Sequence, residues 1–395
     1  MGIMTDIRFK LHQRRTLLAA AIVVAVSSLL VSCGKHDDKP KGSVISLDVV
    51  HKSSRALVNG VAGMGAQSVS NGTGFGVYGY KTVGKETATP KESLVFDNVD
   101  VYASELSSEY KWEYSPLKYW DVEAYYHFVA YWPYKTEGVT HTVSGENEST
   151  RTLTLSVPNW QWESVRSYDS GTDTFTTSDN QSCMDLLYSY SQDEGQNYVT
   201  HTNGYVNFTF SHALAWLEVQ VASPSLATNP TTDYFVTGLS IGNDPAFTTH
   251  DNCNVPDGTG SFAFNMTYSG TSPLSSYGTP GGTAGYAGLY PASSGQQLKL
   301  TAEDQLLCSS LCVPFSVTGE GIFLNVTYNS GSGTPETMRS VAIPLPDSGN
   351  LLELEGGKKY VVKLRFDMGE PLKVVKVYIS DWIAGGTSDH QFYNW

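Results

Sequence analysis

The chain has 395 residues and a formal net charge of -14, with only 25 Lys and Arg residues. Such an acidic chain lacks the basic face that contacts to nucleic-acid phosphates require, and its charge excludes electrostatic binding to anionic lipid. Charged residues are 16% of the chain whereas Gly (37) and Tyr (24) are abundant, which is typical of an exported all-β protein.

The first predicted element is a short hydrophobic stretch behind a basic N-terminus. Four Arg and Lys residues precede an apolar run at residues 17–31, which is too short to span a bilayer comfortably. The run ends in Leu-Val-Ser-Cys, the pattern of a bacterial lipobox, in which the thiol of Cys33 is acylated and becomes the new N-terminus. We therefore expect residues 1–32 to be a lipoprotein signal peptide, with an ordinary secretory signal as the alternative. Its four basic residues and one acidic residue contribute +3, which leaves -17 on the remaining chain.

A polar tether and a first strand are predicted between Cys33 and residue 55. Residues 35–42 are polar or small, and residues 43–50 show the partial alternation of a half-buried strand. A stretch rich in Gly, Ala, Ser and Asn then extends to about residue 73, and we interpret it as a linker.

Many further short strands are predicted, separated by clusters of Gly, Pro, Asn, Asp and Ser, and this pattern favours β-sandwiches. A polar joint at residues 191–197 divides them into predicted domains at residues 56–200 and 201–395, and residues 182–190 are read as a short helical turn. The predicted strands lie at residues 75–80, 94–102, 124–131, 152–157, 205–210, 215–222, 234–241, 261–268, 297–301, 321–328, 340–343, 359–366 and 373–382.

The remaining cysteines, Cys183, Cys253, Cys308 and Cys312, do not form a zinc pattern, because no CxxC pair or histidine cluster accompanies them. Within one continuous strand Cys308 and Cys312 are about 13 Å apart, too far to form a disulfide with each other. Free buried thiols and a bridge between other pairs both remain open.

Sequence motifs of enzymes are absent or lie in the wrong context. Residues 74–79 match GxGxxG, but the glycines lie inside an aromatic strand pattern, where they allow close packing rather than nucleotide binding. His212 ends a predicted strand and is interpreted as a hydrogen-bonded structural histidine. We expect no enzymatic activity, no metal and no cofactor.

The densest aromatic segment, residues 119–134, has two interpretations. Exposed rings could stack on sugars, which would suit a glycan-binding surface lipoprotein that stays monomeric at the outer membrane. Alternating burial would instead make the segment a core strand, with Tyr126 and Phe128 on one face and Val129 and Tyr131 on the other. We favour the core strand, because buried aromatic rings dominate sandwich cores.

Behind the lipobox, six motifs occur in an order that resembles the fimbrillin (Mfa-like, type V pilin) family of Bacteroidia-type bacteria. The resemblance implies an all-β fold of two tandem transthyretin-like Greek-key β-sandwich domains and a role as a subunit of surface fimbriae that serve adhesion. The motifs are Ser-Arg-Ala at residues 54–56, Lys-Tyr-Trp at 118–120, and the segments at 126–133, 206–217, 357–360 and 379–382.

The resemblance also implies a route to the cell surface. The precursor travels to the outer membrane as a lipoprotein, and an arginine-specific protease then cuts after an arginine in the first loop. Arg55 and Ala56 fit that cleavage site, and the alternative is an ordinary surface arginine. Cleavage would remove residues 33–55, including the first strand.

Loss of one strand leaves unpaired backbone groups beside empty apolar pockets, and a strand from a neighbouring subunit satisfies both. Because a head-to-tail contact of this kind does not close on itself, it generates a filament. We place the donor strand within residues 372–395, where Val375, Val377 and Ile379 share one face and Trp382 follows. The expected partners are other pilin subunits, including tip or anchor subunits, and a shaft role is favoured over a tip role; the receptor is unknown.

Overall fold

The structure is a computed structural model, and the predicted all-β fold is confirmed by it. It describes residues 42–49, 60–84, 91–106, 109–134, 140–145, 151–191, 198–229, 233–243, 255, 258–265, 274–276, 287–291, 293–318, 321–330, 337–345, 351–366, 373–382 and 391–393.

The first part of the chain contains a helix, α1 (Gly60–Asn71), and thirteen strands. These strands are β1 (Ser46–Val49), β2 (Phe75–Val83), β3 (Lys91–Leu106), β4 (Glu109–Tyr114), β5 (Ala124–Trp132), β6 (Thr140–Ser144), β7 (Thr152–Pro158), β8 (Trp160–Asp169), β9 (Thr174–Asp179), β10 (Leu187–Tyr190), β11 (Val199–Thr200), β12 (Tyr205–Phe208) and β13 (Ser211–His212).

The second part adds fourteen strands, and single 3₁₀ turns lie at His201–Asn203 and Pro224–Ala227. These strands are β14 (Ala215–Ala222), β15 (Phe235–Gly242), β16 (Thr259–Asn265), β17 (Leu274–Ser276), β18 (Ala287–Tyr290), β19 (Leu298–Lys299), β20 (Gln305–Cys312), β21 (Phe315–Thr318), β22 (Ile322–Asn329), β23 (Thr337–Ile343), β24 (Leu351–Leu354), β25 (Lys358–Arg365), β26 (Lys373–Asp381) and β27 (Gln391–Tyr393).

Two larger sheets organise these strands. The N-terminal sheet has the order β13-β10-β5-β2-β3-β4, with β11 also paired to β5, and the C-terminal sheet has the order β27-β26-β25-β14-β20-β8-β9. Smaller sheets are formed by β18-β15-β22-β23, with β19 on β15, by β17-β16-β7-β6, and by β21-β24. In the described part of the chain, β1 pairs with β12, in parallel.

Strand pairing crosses the boundary predicted near residue 200. The strand β8 lies beside β20 in the C-terminal sheet, and β7 pairs with β16. In the other direction, β12 and β13 pair with β1 and β10. The segment from β6 to β9 therefore shares its sheets with later strands. The predicted limits of 56–200 and 201–395 would place these paired strands in different domains. The division into two sandwich domains stays a prediction.

Three hydrophobic clusters form the core. One lies in the N-terminal half around β1, β2, β5 and β12, and one lies in the C-terminal half around β14, β15, β20 and β25. The third joins the other face of β5 to β7, β16 and the end of β26, and it contains Val129, Tyr131 and Trp382. The halves of the chain are thus held together by apolar packing as well as by strand pairing.

The aromatic segment around β5 is a core strand, as predicted. Tyr126 and Phe128 are at most 1% exposed and belong to the N-terminal cluster, whereas Val129 and Tyr131 face the third cluster. The two glycines of β2 serve close packing, because a Cβ on Gly76 would overlap the ring of Tyr131. A second added Cβ, on Gly79, would stand 2.6 Å from the ring of Phe128. The nucleotide-binding reading of the glycines is therefore rejected.

The linker predicted up to residue 73 is wrong in part, because residues 60–71 form α1. Tertiary contacts hold this glycine-rich helix: Ser68 Oγ accepts a hydrogen bond of 2.8 Å from the amide of Ala103, and Met64 is 1% exposed. Tertiary packing commonly overrides weak helix propensity. The helical turn predicted at residues 182–190 is also wrong, since Leu187–Tyr190 form strand β10. In the described part of the chain, no helix is long and apolar enough to cross a membrane.

Three cysteines in the described ranges, Cys183, Cys308 and Cys312, are free thiols, and Cys253 lies outside those ranges. Burial raises the pKa of Cys308 and Cys312 far above the usual value, and burial with nearby carboxylates raises the pKa of Cys183 to about 12.

We predict that a chain with serine at positions 33 and 253 resists thiol labelling at pH 8 while folded. A pKa of about 12 leaves about one Cys183 thiol in ten thousand ionised at that pH, and the thiolate is the reactive form. Mass spectrometry after brief alkylation should show no adducts in buffer and three adducts in denaturant. Rapid labelling of the folded chain would contradict the burial of these thiols.

Candidate functional site: the seat of the first strand

The first strand, β1, occupies a groove that we call the seat, formed by β12, Tyr114 and residues 118–120. On one edge, β1 pairs in parallel with β12 over four residues, with Ser46 opposite Tyr205 and Val49 opposite Phe208. This parallel pairing joins segments about 160 residues apart in the chain, so no local turn sets it.

The residues just before β1 are bound by residues 118–120. The amide of Ile45 donates to the carbonyl of Lys118 at 2.9 Å, and the amide of Trp120 donates to the carbonyl of Ser43 at 2.9 Å. An isolated antiparallel bridge joins Val44 and Tyr119. Residues 43–45 are therefore hydrogen-bonded to residues 118–120, and residues 46–49, which follow them, pair with β12.

Alternate side chains of β1 and of Ile45, directly before it, fill the N-terminal core. Ile45 is 0% exposed, and Leu47 and Val49 are each 5% exposed, within the cluster that also contains Phe75 and Phe208. The residues between them, Ser46 and Asp48, are exposed. This alternation is the mark of a strand with one buried face, and it confirms the strand predicted at residues 43–50.

Tyr114 lies beneath the strand and bonds to its backbone. Its hydroxyl donates to the carbonyl of Ile45 at 2.5 Å and accepts from the amide of Lys118 at 3.3 Å. The ring is 6% exposed, and burial raises the pKa of its hydroxyl above the ordinary value. Tyr114 therefore stays protonated in neutral and mildly alkaline solution and can continue to donate.

Gly42, four residues before β1, makes a close backbone approach to the seat. A Cβ on Gly42 would overlap the carbonyl of Trp120, so a side chain at this position would push the strand away. Trp120 is itself held by a perpendicular contact with the ring of Tyr126, with 4.8 Å between ring centroids, and the Tyr126 hydroxyl accepts the amide of Asp121 at 2.6 Å. Contacts with the buried side chain of Tyr126 thus hold Trp120, part of the seat, in position.

The sequence of this β-protein matches the model of one protein family over most of its length. The model is described as Fimbrillin-like and matches residues 55–382. The chain belongs to this family. The fimbrillin-like family consists of fimbrial proteins rather than enzymes.

Solved structures of distant fimbrial proteins are also similar to this fimbrillin-like chain. A fimbrial protein from Bacteroides vulgatus is 17% identical, with a TM-score of 0.49, over 86% of this chain and 99% of its own. The fimbrial anchor protein Mfa2 from Porphyromonas gingivalis is 12% identical, with a TM-score of 0.27, over 80% of this chain and 91% of its own. A search of curated proteins finds no match.

The predicted lipidation and processing residues of the fimbrillin-like chain, Cys33, Arg55 and Ala56, lie outside the described residues. The chain connection that contains Arg55 runs from the end of β1 at Val49 to the start of α1 at Gly60. A cut after Arg55 would therefore separate β1 from the rest of the fimbrillin-like fold. Lipidation and cleavage stay predictions.

Three of the predicted donor residues, Val375, Val377 and Ile379, lie in β26, which is antiparallel to β25 within the chain's own C-terminal sheet, and Trp382 follows β26 directly. Val377 is 0% exposed in the C-terminal hydrophobic cluster, and Ile379 packs against that cluster. Trp382 is 4% exposed and lies in the third hydrophobic cluster. The side chain of Val375 lies outside the described residues. The short strand β27 pairs with β26 at the edge of this sheet.

His212 is a hydrogen-bonded structural histidine, as predicted. Its Nδ1 lies 3.0 Å and 2.9 Å from the two carboxylate oxygens of Asp185, and its ring stacks on Trp382 with 3.9 Å between centroids. These contacts join the end of β26 to the N-terminal sheet. Within the described ranges, no group of three or more His, Cys, Asp or Glu side chains is placed to hold a metal ion.

Proposed function

We propose that this fimbrillin-like chain is a structural subunit of cell-surface fimbriae that polymerises by exchange of its first strand. The precursor is exported as a lipoprotein, acylated at Cys33 and carried to the outer membrane. An arginine-specific protease cuts between Arg55 and Ala56, β1 leaves the seat, and a strand from a neighbouring subunit takes its place. The same head-to-tail contact repeats along the fimbrium.

The observation that carries this proposal is a detachable strand in a core position. Residues 43–49 are bound by residues 118–120 and by β12 and bury three apolar side chains, and the segment with Arg55 follows them in the chain. Its removal would expose backbone groups and apolar pockets together, which is unstable in water and is relieved by an incoming strand.

We infer that the donated segment lies beyond Trp382. Val377 and Trp382 fill the chain's own core, so donating all of β26 would open the C-terminal sheet and the third cluster. Of residues 383–395 the structure describes β27, and its departure would break its backbone pairing with β26. We therefore infer a donor at the end of the predicted region 372–395 and propose a shaft role, in which a subunit both accepts and donates a strand.

The alternative function, a monomeric glycan-binding lipoprotein, is disfavoured by burial of the aromatic segment. Trp120, Tyr126, Tyr131 and Trp132 are each at most 2% exposed, so their rings have no face free to stack on a sugar. Tyr119, in the same segment, differs from these four residues because it is 53% exposed.

The test is the N-terminal sequence of the protein recovered from cells that carry an arginine-specific protease. We predict that wild-type material starts at Ala56 and forms polymer ladders. The variant Arg55→Ala should keep a blocked, acylated Cys33 and form no ladders. The control, Lys52→Ala, removes a different cation from the same connection and should behave as wild type. Ladders from chains that still carry residues 43–50 would overturn the proposed function.

A further inference from the structure

A cavity separate from the seat lies between α1, the end of β5 and the hairpin of β8 and β9. Its volume is about 400 Å³, which falls within the range of about 300 to 1,000 Å³ that sites for small molecules occupy. All its lining residues follow Gly60 in the chain. The cavity therefore belongs to the chain both before and after the proposed cleavage.

The wall of this cavity between Asn180 and Met184 is fixed by hydrogen bonds. The side-chain amide of Asn180 donates to the carbonyl of Trp162 at 2.8 Å, and its Oδ1 accepts from the amide of Ser182 at 3.0 Å. The amide of Met184 donates to Oε1 of Gln161 at 2.9 Å, and Nε2 of Gln161 donates to the carbonyl of Met184 at 3.2 Å. A wall held in this way does not have to be ordered when a ligand binds, which lowers the cost of binding.

Carboxamide side chains come to the cavity from two segments of the chain. Gln67 and Asn71 are four residues apart in α1, so they lie on the same face of the helix. Gln181 comes from the segment that follows β9. In the described part of the chain, these three side chains have no hydrogen-bond partner. Each is therefore available both to donate to a ligand and to accept from it.

The charges around the cavity exclude an anionic ligand. Glu163 and Asp179 add carboxylates, and a third lining carboxylate, that of Asp185, is bonded to His212. No Lys or Arg is among the described residues that line the cavity, so an anion would meet like charge.

The mixture of carboxamides and carboxylates distinguishes between the remaining kinds of ligand. A protonated amine would use the carboxylates but would leave the carboxamide N–H groups without acceptors. A neutral polyol suits the whole set, because a hydroxyl donates to a carboxylate and accepts from a carboxamide.

We propose that this cavity binds one neutral sugar ring, a hexose, a deoxyhexose or an N-acetylhexosamine, through its carboxamide and carboxylate side chains. The site does not depend on ring stacking, in agreement with the burial of Trp132, which lines the cavity and is 1% exposed. The inference goes beyond the proposed function, in which the receptor is unknown. A polymer of such subunits presents the cavity many times, and this repetition turns weak binding of one sugar into firm attachment to a surface glycan.

The test uses the full chain with Cys33→Ser, which has no thiol to be acylated, and measures binding by saturation-transfer NMR. The probes are the methyl glycosides of glucose, galactose, mannose, fucose and N-acetylglucosamine. At least one of them should bind with a dissociation constant in the millimolar range, as expected for so small a ligand.

The variants Asn71→Ala and Asp179→Ala should weaken binding of that glycoside by about fivefold and by about tenfold or more. These are the factors expected for the loss of one neutral and one charge-assisted hydrogen bond. The matched controls, Ser70→Ala in α1 and Ser178→Ala in β9, replace neighbours that do not line the cavity and should leave the dissociation constant unchanged. All four side chains are exposed, so the variants should keep the fold, which urea titration checks.

Failure of all five glycosides to bind would overturn the inference, and so would binding that neither Asn71→Ala nor Asp179→Ala weakens. Lysine methyl ester is the cationic probe, and its binding in place of the glycosides would also overturn the inference. The proposed function fails separately. A chain that binds a glycoside but never forms ladders after cleavage at Arg55 would support the sugar site and overturn polymerisation by strand exchange.

Discussion

A chain that lacks residues 43–55 should lose about 5 to 9 kcal/mol of its free energy of unfolding. In the segment 45–49, Ile45, Leu47 and Val49 are almost completely buried, and burial of each such side chain stabilises the fold by about 1.5 to 3 kcal/mol. The truncated chain also leaves the amides and carbonyls of β12 without their strand partners. Because small proteins are stable by only about 5 to 15 kcal/mol, the N-terminal half should unfold in mild urea. Urea titration followed by tryptophan fluorescence measures this loss.

Two controls separate loss of the strand from loss of chain length. The variant Asp48→Ala changes an exposed residue of β1 and should shift the free energy of unfolding by less than about 0.5 kcal/mol. A synthetic peptide with the sequence of residues 42–50 should restore the truncated chain, and a peptide with Asp at the three buried positions should not. A truncated chain as stable as the intact one, with no response to the peptide, would show that the seat is not a strand-binding groove.

The first strand illustrates how far sequence reasoning reaches at this site. The alternation of Ile45, Leu47 and Val49 predicts a strand with one buried face, and the structure has it. The pairing partner of this strand could not be predicted from the sequence. The segment at residues 205–210 is recognisable as a strand, but its parallel pairing with β1 is a long-range contact, and no local pattern specifies which strands become neighbours.

The other wall of the seat was missed although the signal is present. In β4, Tyr110, Trp112 and Tyr114 alternate with charged residues, which is the period of a half-buried strand. This strand has six residues and is followed at residues 115–118 by Ser-Pro-Leu-Lys. So short a segment can also be interpreted as part of an aromatic loop. The function of Tyr114 in the seat could not have been predicted, because it depends on a carbonyl 69 residues earlier in the chain.

The pairing across residue 200 has a consequence for strand exchange. The strands β7 and β8 bind to β16 and β20, and the third cluster packs against both the N-terminal sheet and the end of β26. The C-terminal sheet and the third cluster contain no residue of β1. In the proposed exchange we therefore expect both to stay folded when β1 leaves the seat.

Deletion of residues 383–395 should abolish polymer ladders and leave a folded monomer. The deletion removes β27, whose backbone pairs with Val377, Tyr378 and Ile379 at the edge of the C-terminal sheet, and leaves Trp382 stacked on His212. The loss in the free energy of unfolding should be about 1 kcal/mol or less, because short terminal strands open locally at little cost. Gel electrophoresis of the processed protein without boiling measures the ladders, and urea titration measures the fold.

The sharper form of this test mixes truncated and wild-type subunits after processing. A subunit without its tail still has a seat, so it accepts a donor from a wild-type neighbour but has nothing to donate, and the filament ends there. Ladders should therefore shorten as the truncated fraction rises. The control is a Trp382→Ala subunit that keeps its tail, which tests the packing of β26 rather than strand donation. Ladders of unchanged length at equal proportions would mean that the donor lies outside residues 383–395. A donor within β26 would then be the remaining choice in the C-terminal region, and it would require Val377 to leave the core in which it is buried.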